Sequence, residues 1–569
     1  MGPRIVIVTI ALALPSFGRG PLRPLTATIS LAALVVVGPL AAQLAAQRAA
    51  QPAAHVQHDV GTVRLATSCA ASTQPAFARA VALLHSFAFA QATTEFTGVL
   101  RTDPQGAMAW WGLALSAWGN PFTVAAKPRA QIERGRAAVQ RARAAGAATP
   151  REQGYIDAVA QLYEHADTLP QRVRLIGYRD AMSALAAREP ADTEAQIFRA
   201  LAVAIAADPT DKTYAAQLEA GATLERLFAK LPDHPGLAHN NIHAYDVAPL
   251  AGRALDAATR YGRIAPDVSH ALHMPSHTYT RVGLWQPSIV TNIASASAAR
   301  REGSTAEELH SSDYRMYAYL QLGQDRAAAR LLAAIPAIAR RLDPAVISTG
   351  ASPASGTFAI AAIPARYALD RGDWKGAARL EVHATAVPYA DAITWFARAL
   401  GAARSGDTAS ADSALTELAR LRELLAGAKE GYWTEQVEIQ RLAASAWRSF
   451  AAGQRAPALA AMRVAADRED ATEKSAVTPG PLAPARELLG DLLMEAGAYA
   501  DARAAYDATM AKEPKRFRAI AGSARAAMAA GDSAAARERY RALLALAAHA
   551  DKPGRPALVE AAQAVGPTP

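Results

Sequence analysis

GAYADARAAYDATMAKEP (497–514) and GDSAAARERYRALL (531–544) open on glycines 34 residues apart, and each glycine has an alanine five residues on. GDWKGAARL (372–380) starts the same pattern, and Gly406 follows Gly372 at the same spacing. In all, Gly323, Gly372, Gly406, Gly453, Gly497 and Gly531 are each followed at that distance by Ala328, Ala377, Ala411, Ala458, Ala502 and Ala536. A glycine that ends one helix permits a left-handed turn. A small residue early in the next helix then lets the pair pack closely. The unit is a helical hairpin, and neighbouring hairpins bury what one cannot bury alone. The predicted fold is all-α: a right-handed superhelical solenoid with a concave inner face.

Spacing and residue types resemble the tetratricopeptide repeat, and Pro514 sits where that repeat ends its second helix. Looser copies lie earlier: ALLHSFAFAQATTEFTGVLRTDP (82–104), ALDAATRYGRIAP (254–266) and HALHMPSHTYTRVGLW (270–285). Two Gly/Pro/Ser-rich stretches interrupt the array, ISTGASPASGTF (347–358) and TEKSAVTPGPLAP (472–484). Such loops either cover a site or are plain surface excursions. The expected organisation is a signal at 1–50, a lead-in at 51–80, irregular repeats at 81–345, regular repeats at 346–550, and a flexible tail at 551–569.

Composition agrees with helices. Of 569 residues, 144 are alanine, while aromatics are only 6%. Alanine is the best helix former, and strands favour β-branched and aromatic residues. The apolar fraction of 51% excludes a disordered chain. The net charge of +9 is spread along the sequence, so nucleic-acid binding does not follow from it. The single cysteine, Cys69, excludes an internal disulfide framework and any CxxC site.

Arg19 and Arg23 precede an uncharged run, Thr26 to Val37, and then GPLAAQLAAQ (38–47). That order is an export signal with cleavage expected at about 42–51. It places the mature chain in the periplasm or outside the cell. Membrane contact is expected only if the segment stays uncleaved as an anchor.

Seven of the 13 histidines fall between residues 234 and 310. His239 and His243 stand one helical turn apart in HNNIH. His270, His273 and His277 share a face of HALHMPSH. Two histidines one turn apart can reach one ion, and a third from another helix completes a zinc-type set; copper and iron suit the same donors. These five are the candidate metal ligands. Asp246, His310 and Asp313 are the candidate supporting or acid/base residues, a carboxylate orienting a histidine. A metal-free acid/base site and a hydrogen-bonded structural network remain open beside the metal reading. No HExxH is present.

His85 and Trp111 are candidate ligand-binding residues, beside the aromatic run WWGLALSAWGNPF (110–122); solenoid core is the competing reading for the tryptophans. His234 and His549 are expected to be structural. Glu435 and Glu438 fit a solvated helix face, and Arg486 with Glu487 an internal pair at a helix start.

The segments GTVRLATSC, MAWWGLALS, HNNIHAYD, HALHMPSHTYTRVGLW and YWTEQVEIQRLAASAW together resemble a family of exported bacterial tetratricopeptide-repeat proteins. The resemblance implies a scaffold that binds a protein, a peptide or a small ligand in its concave groove, and it supplies no reaction. It also implies a second cysteine where this chain has Gly106, so a bridge from Cys69 is lost, and a histidine where this chain has Arg64. The resulting expectation is an exported repeat scaffold with a His-rich pocket. The alternative is a metal-dependent enzyme or metal-binding protein.

Overall fold

The computed structural model describes residues 59–123 and 125–566, so the segment expected to be an export signal lies outside the described residues. Every regular element among them is a helix. Successive helices pack on one another along nearly the whole chain.

The hairpin turns form as the glycines demand. Gly323, Gly372, Gly406, Gly453, Gly497 and Gly531 all have φ between 66° and 85°, a region that an L side chain rarely enters. The six alanines five residues on are fully buried. At Gly406 the amide of Asp407 reaches back to Ala402 O (3.0 Å) and that of Gly406 to Ala403 O (3.2 Å), which satisfies the end of the helix. The Asp after the glycine then caps the next helix: Asp373, Asp407 and Asp532 accept from backbone amides three residues on, at 2.9–3.0 Å.

Six helices set the site: α1 (Gln74–His85), α2 (Pro235–Ala244), α3 (Ser269–His273), α4 (Pro275–Arg281), α5 (Trp285–Glu302) and α6 (Thr305–Gln321). Pro275 has no amide to give, which separates α3 from α4. All of α2 is buried although it carries two His and two Asn. A polar helix buried on every side is the informative exception to ordinary burial.

The array departs from a simple stack. The C-terminal hairpins fold back on the middle of the chain, where Arg555 pairs with Asp325 (2.6 Å) and Trp285 Nε1 donates to Lys515 O (3.0 Å). The segment expected as a flexible tail carries a helix, Pro556–Val565, with Ala557 and Ala561 buried. Its proline occupies the first helical turn, where a missing amide costs nothing. No described helix is long and apolar enough to cross a membrane.

Candidate functional site

The inner region is not an open groove. The stretch before Pro353 lays Gly350 against the His270 ring, so closely that a Cβ there would come within 2.3 Å of it. Asn120 Nδ2 donates to Gly350 O (2.9 Å). The 472–484 loop closes another side: Tyr314 OH reaches Ala476 O and Thr478 O, both at 3.1 Å, and Lys474 Nζ reaches Asp246 (3.2 Å). Both interrupting loops therefore cover the histidines.

Beneath them the expected cluster divides into two groups of three. His239 and His243 from α2 meet His270 from α3, and one ring nitrogen of each lies within 4.8 Å of the others. His273 and His277 form the second group under the same limit, with His310 from α6. His310, expected as a supporting residue, thus stands among the possible ligands.

Hydrogen bonds fix which nitrogens face inward. His239 Nδ1 lies 2.5 Å from His85 O, and His270 Nδ1 3.1 Å from Glu307. His277 Nδ1 lies 2.9 Å from Asp246, and His273 Nδ1 2.7 Å from Asn292 Oδ1. A carbonyl or an ionised carboxylate only accepts. Asn292 Nδ2 already donates to Ser288 O (2.7 Å), so its oxygen is the accepting end. Each of these four Nδ1 atoms therefore carries a proton and donates it, which leaves Nε2 of the neutral ring with a free lone pair.

The Nε2 atoms of His239, His243 and His270 are buried with no hydrogen-bond partner, as is Nδ1 of His310. His273 Nε2 and His277 Nε2 face each other at 3.1 Å. Two lone pairs repel at that distance, whereas two nitrogens on one ion with bonds of about 2.0–2.1 Å sit about 2.9–3.4 Å apart.

Burial opposes protonation of most of these rings, and neighbouring groups hold the two carboxyls ionised. Burial pushes His239, His243 and His273 well below the usual histidine range, and His310 down to about 3. Burial alone would raise Asp246; Lys474 and Arg281 outweigh it and hold the carboxyl well below its usual range. Burial would likewise raise Glu307, and its histidine neighbours, His270 foremost, bring it down.

Other expected residues lie elsewhere. Asp313 does not face the histidines: Arg366 takes it at 2.7 Å, with both side chains buried. Arg366 also donates to Gly480 O (2.9 Å), so this pair anchors the 472–484 loop. His85 donates its Nε2 proton to Glu194 (2.7 Å), which His234 shares at 2.7 Å. His85 reaches the centre only through its carbonyl. Trp111 is core, edge-on to Tyr155 and Phe198 with centroids at 5.3 and 5.4 Å. Arg486 and Glu487 do not pair with each other. Arg486 turns to Asp467 and Asp470, and Glu487 to Arg516 and Arg518, because adjacent helical residues point apart. Glu435 pairs with Arg468 on a partly exposed face as expected, whereas Glu438 is buried and pairs with Arg441. Arg64 and His549 are exposed. Cys69 is buried, and a Cβ on Gly106 would stand 3.1 Å from its Sγ.

Sequence reasoning missed Glu307, Asn292, Glu194 and Lys474. Glu307 had a signal, lying three residues before His310 on one helix face. The other three come from distant elements and had none.

No family model matches the chain, and no curated protein matches it. Among solved structures similar to it is one titled as a human IFIT1 dimer with m7Gppp-AAAA. It is 11% identical, with a TM-score of 0.35, over 77% of this chain and 90% of that one.

Proposed function

We propose that this chain is a metal-binding protein in which a helical-repeat scaffold holds a pair of transition-metal ions, one in each three-histidine group. The observation that carries the reading is the set of inward Nε2 atoms, buried and unpartnered on His239, His243 and His270 and opposed at 3.1 Å on His273 and His277. A buried polar atom without a partner costs about 1–3 kcal/mol, and a purely structural network would have satisfied these atoms. The outer nitrogens of His239, His270, His273 and His277 are held by a carbonyl, Glu307, Asn292 and Asp246, the kind of partner that orients metal-bound histidine. General-acid use without metal is disfavoured, because burial opposes protonation of these rings. Export of the chain by residues 1–50 belongs to the same proposal and would place the centre outside the cytoplasm.

The test is elemental analysis of protein purified without a histidine tag, refolded with zinc, copper and iron in turn. Wild type retains metal after gel filtration. His243→Ala and His273→Ala each lose part of it, and the double variant loses all. Retention near zero in wild type, with helical content intact, overturns the reading.

A further inference from the structure

A cleft adjoins both histidine groups. It is lined by His243 and His270 from one group and by His277 and His310 from the other. A small molecule seated there lies beside histidines of both groups. Its free space is about 40 Å³, room for a few waters or one diatomic molecule. Phe122 stacks on His243 at 4.0 Å between centroids and narrows the wall.

The charge around the site selects the ion. All six donors are imidazoles, and no carboxylate belongs to either group. Asp246 is already matched by Arg281 and Lys474, so that trio is net positive. Glu307 supplies one negative charge, and its other partners, Thr349 Oγ1 (2.7 Å) and the Ala351 amide (3.2 Å), are neutral. The charges of these four groups, which touch the histidines directly or through Asp246, cancel. Two buried dications would repel fourfold more strongly than two monocations at the same separation, since the energy follows the product of charges. Imidazole suits copper, the first-row metal with a ready monovalent state.

A second cavity, of about 30 Å³, adjoins the first group and is apolar, lined by Leu84, Phe87, Leu115, Trp118 and Leu162. Phe87 separates it from the histidines, with its ring centroid 4.3 Å from His239 and 5.7 Å from His270. A dry apolar space takes up apolar gases.

We infer that the two groups hold a pair of copper ions, cuprous at rest, that binds dioxygen in the cleft between them. The inference rests on the metal reading above. Each copper(I) gives one electron to dioxygen, which becomes peroxide bridging two copper(II) ions; the O–O bond drops in order, no bond to carbon forms, and no proton is needed.

The experiment loads tag-free protein anaerobically with copper(I), and in parallel with zinc(II), then admits dioxygen. Expected are two coppers per chain, uptake of one dioxygen per copper pair, a near-ultraviolet absorption band, and an O–O vibration that shifts with oxygen isotope. The product is silent in electron paramagnetic resonance because the two copper(II) spins couple. His277→Ala, checked for helical content, retains one copper and lowers dioxygen uptake at least about tenfold. Copper bound without uptake, isolated copper(II) signals, zinc displacing copper from both groups, or undiminished uptake by His277→Ala each overturns this inference and leaves the metal reading standing. If wild type retains no metal of any kind, the metal reading itself falls.

Discussion

Glu307 is the single residue on which the geometry of the first group depends most. It takes the Nδ1 proton of His270 at 3.1 Å and also ties down the covering stretch through Thr349 and Ala351. Glu307→Gln can present an amide nitrogen to His270, which disturbs the tautomer that keeps Nε2 free. Loss of such a partner weakens metal binding by about 10–100-fold. Chelator competition should show that loss for Glu307→Gln with helical content unchanged. Asp313→Asn is the contrast, since Asp313 faces Arg366 and not a histidine: it should destabilise the chain while weakening metal binding less than Glu307→Gln does. An equal loss in both variants would mean that metal retention follows general stability. The histidines themselves were legible because no repeat position requires them. Their division into two groups was not, because it depends on the break at Pro275 and on ring tautomers set by Asn292 and Glu307.

At the scale of the element, the hairpins owe their tightness to particular small residues. A Cβ on Gly401, within Pro388–Arg404, would meet Trp374 O at 2.5 Å and Ala378 N at 2.6 Å, both backbone atoms of the neighbouring short helix. Backbone cannot turn aside, so Gly401→Ala should cost about 1–3 kcal/mol by overpacking and lower the melting temperature by several degrees. Gly431→Ala, where a Cβ meets nothing within 4 Å, should not. The covering loop has its own pH dependence. Glu469 accepts from the Ala485 amide (2.7 Å) at the loop's far end, and burial pushes its carboxyl up to about 7. A folded value above the unfolded one of about 4.5 means the contribution is full below 4.5 and is lost as pH rises through 7. Because the side chain is partly exposed, the effect should be about 1–2 kcal/mol. Melting curves should therefore show Glu469→Gln more stable than wild type at pH 8 and equal to it at pH 5; the same gain at both values would contradict the assignment. The turns themselves were legible in sequence, since a left-handed turn admits few residues but glycine. The covering role of the two loops was not, because a Gly/Pro/Ser stretch encodes a break and not a direction.

For the whole molecule, the decisive contacts are those no nearest-neighbour repeat pattern encodes. Arg516, fully buried, joins three parts of the chain: it donates to Asp370 (2.6 Å), to Glu487 (2.7 Å) and to Tyr317 OH (3.2 Å). Tyr317 lies on α6, the helix that carries His310, so this junction ties the C-terminal hairpins to the second histidine group. Removing the arginine leaves Asp370 with only the Gln321 amide (3.2 Å), whereas Glu487 keeps Arg518 (2.9 Å). An uncompensated buried charge costs about 3–5 kcal/mol. Arg516→Ala should therefore lower the melting temperature sharply and, by freeing α6, release metal from the second group before the first. Asp370→Ala should cost less, because Arg516 keeps Glu487. The measurement is thermal unfolding followed in parallel with metal release, comparing each variant with one that lacks His277. If Arg516→Ala destabilises the chain but metal leaves both groups together, the junction serves overall stability and does not selectively hold α6.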